Sequence, residues 1–144
     1  ESWFYPGALL KDKTKMFIEQ SNCPVGVFVN RNFVKASNVI VVIDSEEDLF
    51  LLGYVQTLLK STHGSASVLD KSSSTTPGYE AIKEGIQRFT EDVKQTTLLR
   101  ENDLTPHSFN GFNFMLISYK TWNDVSEHRK EALQKMPSTL ILSK

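Results

Sequence analysis

Residues 38–50 read NVIVVIDSEEDLF: an apolar run, one aspartate, a serine, three acids in a row and a return to apolar residues. An uninterrupted apolar run of this length, rich in β-branched side chains, is the pattern of a strand buried on both faces, as in a parallel sheet. Acids immediately after it suit the first turn of a helix, whose positive end they complement. Asp44 stands at the junction and has two readings. Either the neighbouring helix amides satisfy it, or it faces the crevice at the carboxyl ends of the strands, where open α/β sheets bind their ligands.

Outward from this stretch the alternation continues. Ser45 is placed to cap the next helix, with Asp48 in the capping-box position. Leu49, Leu52, Val55, Leu58 and Leu59 form one stripe along residues 46–63, and Gly64 is placed to end that helix. ASVLD at 66–70 completes a βαβ unit, and KSSSTTPG at 71–78 is a polar, turn-forming loop. Ile82, Ile86, Phe89 and Val93 mark a second helix over 79–95, before a strand TTLLRE at 96–101. Pro106 keeps the connection at 102–111 from being a regular helix. A strand at 112–120 (FNFMLISYK), a capped helix at 123–136 and a closing strand at 138–144 (STLILSK) follow, with Trp122 read as a packing residue. Upstream, PVGVFVN at 24–30 reads as a strand and KTKMFIEQSN at 13–22 as a short amphipathic helix stopped by Pro24. This order predicts a three-layer α/β/α architecture, a doubly wound, mainly parallel five-stranded sheet with helices on both faces.

The chain has 144 residues, 40% hydrophobic and 23% charged, the length and composition of one soluble globular domain. A formal net charge of −1 and the lack of any long basic run speak against a surface that tracks nucleic-acid phosphates. Cys23 is the single cysteine, which rules out an internal disulfide or a cysteine-based zinc site; within CPVGVFV it reads as a buried thiol in a reducing compartment. No run reaches the roughly 18 apolar residues of a membrane span, and no signal peptide is present, so a soluble chain is expected. A start at Glu1 rather than Met is expected from processing or from excision out of a longer chain.

Enzyme chemistry finds no foothold in the motifs. There is no G-x-S-x-G elbow, P-loop or G-x-G-x-x-G, and His63, His107 and His128 form no i, i+4 pair for zinc. Glu46, Glu47 and Asp48 are consecutive on a helix, so they project about 100° apart and do not converge on one ion. No catalytic or metal-binding residue is expected.

The strand ending VVID-S, the amphipathic helix, the short strand, the long helix and the closing helix and strand together resemble the universal stress protein fold over residues 38–144. One segment earlier, CPVGVFVNRNF at 23–33 resembles the junction between two stress-protein-like repeats in the cytoplasmic tail of monovalent cation:proton (sodium/hydrogen) antiporters. The resemblance implies that residues 1–33 are the last helix and strand of a preceding repeat and residues 34–144 a stress-protein-like domain, with strand order 3-2-1-4-5. It puts Asp44 at the position that faces adenosine in nucleotide-binding members, with Ser45, Tyr119 and Lys120 around the same crevice. Those members carry a glycine-rich phosphate loop where this chain has SYKTWNDVSEHRKEALQKMPST, 118–139, without a glycine. Backbone amides wrap a triphosphate only where side chains do not obstruct a tight turn, so no cofactor is expected.

The resemblance further implies a homodimer joined along the last strand, where Leu140 and Leu142 face one side and Ile141 the other. The function it implies is that of a cytosolic regulatory domain, on the cytoplasmic side of the membrane and joined to the transmembrane antiporter domain of the same longer chain. It would sense a small ligand and modulate cation/proton exchange. The alternative is a free-standing stress protein that binds ATP or another nucleotide.

Overall fold

The computed structural model describes residues 25–101 and 104–143. The helix expected at 13–22, Cys23 and Lys144 lie outside the described residues. Strand β2 (Asn38–Ile43) is the centre of the fold, and Val39 to Ile43 are all 0% exposed. Its alternate side chains enter two cores. Val39, Val41 and Ile43 point into one cluster, and Ile40 and Val42 into the other.

Five further strands complete one sheet: β1 (Val25–Val29), β3 (Ser65–Asp70), β4 (Thr96–Arg100), β5 (Phe114–Ser118) and β6 (Ser138–Ser143), in the order β1-β6-β5-β2-β3-β4. Strands β2 to β6 are mutually parallel and reproduce the expected 3-2-1-4-5 order, while β1 joins antiparallel to β6. The α/β class and the mainly parallel, doubly wound arrangement are as the sequence predicts. Helices α1 (Leu51–Thr62) and α2 (Tyr79–Asp92) cross over on one face, covering β2, β3, β4 and part of β5. Helix α3 (Tyr119–His128) and the 3-10 helix Lys130–Lys135 cover β5 and β6 on the other. Trp122, 1% exposed, anchors α3 as a packing residue.

Several local expectations are corrected. Among the described residues the sheet has six strands rather than five, because β1 pairs with β6 in a register running from Val25 opposite Ser143 to Val29 opposite Thr139. Leu140, Ile141 and Leu142 are therefore not an open edge awaiting a second copy: their outer side is already bonded by this chain's own β1. The helix expected from residue 46 begins as a 3-10 helix, Glu46–Phe50, and becomes α-helical only at Leu51. Ser45 stands at its N-cap without a side-chain cap bond, and Asp48 turns away from the capping box to bonds described below.

Helix α1 ends at His63, whose φ of 55° takes the left-handed position expected of Gly64. Gly64 serves a different need. A Cβ there would lie 2.4 Å from the Ser37 carbonyl oxygen, so the glycine lets β3 start hard against the chain entering β2. The fifth strand is shorter than expected, and Tyr119 and Lys120 open α3 instead of ending β5. Gly64→Ala is expected to lower the urea midpoint, costing about 1–3 kcal/mol as the backbone shifts away from the clash.

Candidate functional site

The carboxyl ends of β2 and β5 form the point where crossovers leave the sheet centre in opposite directions, the usual ligand crevice of such sheets. Beside it, between the 3-10 helix that follows β2 and the carboxyl ends of β5 and β6, opens a cavity of about 430 Å³ lined by Glu47, Asp48, Phe50, Ser118, Tyr119, Lys120, Leu142 and Ser143. Of the four residues expected at the site, Tyr119 and Lys120 line this cavity. Asp44 and Ser45 do not.

Asp48 forms the wall between the two groups. It is 1% exposed, and its Oδ2 accepts the Asp44 amide at 2.9 Å and the Thr121 hydroxyl at 2.8 Å. One carboxylate thus ties the end of β2 to the first turn of α3. Ser118 caps that helix by accepting the Thr121 amide at 3.2 Å. Outside the wall, Lys120 reaches Glu47 at 3.4 Å, but both side chains are largely exposed and such a pair adds little stability.

Asp44 meets a different set of groups. Its nearest cation is Lys71, at 4.0 Å from Oδ2, with a side chain only 10% exposed. Burial raises the Asp44 pKa from its ordinary value; Lys71 and Lys120 oppose the rise, and the negative charges of Asp48 and Asp124 add to it. Ser45 lies beside it with a hydroxyl oxygen that is buried and without a hydrogen-bond partner. On the next strand, Asp70 is buried as well, accepting the Ser72 amide at 2.9 Å and pairing with Arg100 at 3.0 Å.

Sequence reasoning missed Asp48 as a site residue by treating it as helix-start chemistry, and it passed over Asp70 altogether. The one signal for Asp70 was a second strand ending in aspartate, ASVLD, parallel to the first. Ser118 and Glu47 carried no distinguishing pattern. Among the described residues no group of three or more His, Cys, Asp and Glu side chains is placed to hold a metal ion.

No protein-family model matches the sequence. No curated protein matches it either. Among solved structures, the chain is similar to a universal stress protein from Archaeoglobus fulgidus, with a TM-score of 0.51 and 15% identity over 86% of this chain and 50% of that one. Identity at that level speaks for architecture alone. The chain has a universal stress protein-like fold, and it spans about half the length of that protein. No helix of the described residues is long and apolar enough to cross a membrane.

The raised pKa of Asp44 has a defined sign. A folded-state value above the unfolded one means that the folded chain holds this proton more tightly. The stabilising contribution is full below the unfolded carboxylate pKa and is lost as pH rises through the folded one. Carboxyl NMR titration is expected to place Asp44 above an ordinary aspartate, with Lys71→Met moving it further up and Asp124→Asn moving it down. Asp48→Ala is expected to lower stability by about 1–3 kcal/mol for each of the two donors it strands, measured by chemical denaturation.

Proposed function

We propose that this chain is a regulatory, non-catalytic domain in the cytosolic tail of a monovalent cation:proton antiporter, sensing a small ligand at the β2/β5 crevice. The observation that carries the reading is the antiparallel pairing of β1 with β6. The closing strands of two successive stress-protein-like units would meet in this way, and β1 is the strand within the junction-like stretch CPVGVFVNRNF. Residues 1–33 then belong to the end of a preceding unit and residues 34–144 to the domain proper. In such a tail, a ligand biases transport only by the difference in its affinity for the two states of the transporter.

The crevice favours a small polar ligand over a nucleoside triphosphate. The start of α3, where a phosphate would seek helix amides, is capped by Ser118 and backed by the acids Glu47 and Asp48. Like charge there works against a polyphosphate. Lys120 and Glu47, both largely exposed where they line the cavity, offer a cationic donor and a carboxylate acceptor to a neutral or zwitterionic ligand.

The fold likeness to a universal stress protein favours a second reading, a free-standing stress protein that binds a nucleotide. An antibody against this chain separates the two. The first reading expects a polypeptide much longer than 144 residues in the membrane fraction of source cells. A soluble band of about this length overturns it. The second reading expects a melting temperature that rises with ATP and stops rising in Asp44→Ala.

A further inference from the structure

Phe50 lines two cavities. One is the polar cavity of about 430 Å³ beside the crevice, and the other, of about 510 Å³, runs between α1 and the sheet. Their floors are continuous. On β5, Phe114 and Leu116 floor the second cavity and Ser118 the first; on β6, Leu140 floors the second and Leu142 the first. Side chains two apart on a strand share a face, so one trough follows the strands toward their carboxyl ends. From Phe114 to Ser118 it spans about 13 Å, the reach of an extended chain of about ten carbons.

The two ends of the trough differ in chemistry. Under α1 the lining is apolar, with Tyr54 and Leu58 above Phe114, Leu116 and Leu140. Thr57 and Ser61 also line it, but their hydroxyls donate to the helix's own carbonyls at 3.2 and 3.4 Å. Phe28 and Phe33, 46% and 41% exposed, extend the apolar floor through ring contacts with Phe114 at 6.2 and 5.7 Å. At the carboxyl end stand Lys120 and Glu47, 73% and 75% exposed and 3.4 Å apart, with the buried Asp48 beside them. Two acids to one base disfavour a purely anionic group there. A group that carries both charges is matched, its cation to Glu47 and its anion to Lys120.

We propose that the trough binds a single-chain amphiphile with a zwitterionic head, the head between Lys120 and Glu47 and the alkyl chain along β5 and β6 beneath α1. This rests on the reading that the crevice takes a small ligand, and it names that ligand's class. Each cavity falls within the range of about 300–1,000 Å³ usual for small-molecule sites. The amphiphile comes from solution as a monomer and not from a bilayer. The apolar floor is recessed beneath α1, and the polar end carries acids where a membrane-binding surface carries basic residues.

Calorimetric titration of the full chain with dodecylphosphocholine, kept below its micelle concentration, tests the assignment. Saturable one-to-one binding is expected, weakening about fourfold for each methylene removed in the decyl and octyl analogues. Laurate, whose head is purely anionic, is expected to bind more weakly than dodecylphosphocholine. Gly53→Leu fills the apolar end. A Cβ at residue 53 meets nothing within 4 Å, and leucine is the better helix former, so this variant keeps its melting temperature. Its affinity for dodecylphosphocholine is expected to fall by more than about tenfold, as methylenes are displaced from the trough.

Binding that Gly53→Leu leaves unchanged would overturn the proposal, as would laurate binding equally tightly. Association with phosphatidylcholine vesicles but not with the monomer would assign the trough to a bilayer surface and overturn it too. Binding of phosphocholine alone, unimproved by a chain, overturns the amphiphile while leaving a small polar ligand at the crevice standing. Absence of any binding also overturns it, and the place of the chain in a transporter tail is then decided separately by the membrane fractionation.

Discussion

Strand β2 cannot touch water on either face, and the rest of the architecture answers that constraint. Five consecutive β-branched residues, Val39 to Ile43, need one helical layer above the sheet and one below. Right-handed crossovers supply them: α1 and α2 lie on one side as the chain steps outward to β3 and β4, and α3 lies on the other after it returns to β5. The reversal between β2 and β5 opens the crevice. Burial of β2 and the position of the site are thus one consequence seen at two ends of the same strand.

Asp48 then decides what kind of crevice it is. The buried Asp48 carboxylate holds the Asp44 amide four residues before it and the Thr121 hydroxyl 73 residues after it, joining the end of β2 to α3. It also places a negative charge where a phosphate-binding protein of this architecture would present helix amides and glycines. Asp44 is left half-buried beside Lys71, with a proton held more tightly than that of an ordinary aspartate. The electrostatics of the two compartments differ, although Asp44 and Asp48 are only four residues apart.

The antiparallel β1 changes the meaning of the sheet edge. A bare parallel β6 with apolar Leu140, Ile141 and Leu142 would be a hazard for uncontrolled pairing, and β1 removes it within the chain. The same strand carries Phe28 onto the face that helix α1 leaves open. Edge protection on one hand and an uncovered apolar floor on the other follow from adding a strand without a described helix above it.

The order of elements and the parallel class were legible in the sequence, because apolar run length and helical spacing report burial directly, while the strand order came only with the resemblance to the stress-protein fold. Asp44 could be placed at a strand end for the same reason. The partners of side chains were not legible. Asp48 reads as a helix-start acid until Thr121 is brought against it from β5's end, and Gly64 reads as a helix stop until the Ser37 carbonyl lies where its Cβ would be. Nor could periodicity say that PVGVFV would run antiparallel beside STLILS, since both strands alternate alike and only the sheet's free edge chooses between them. Local pattern determined which segments hide from water; the contacts between segments distant in sequence decided which acids face each other, which edge is closed and which face is left open.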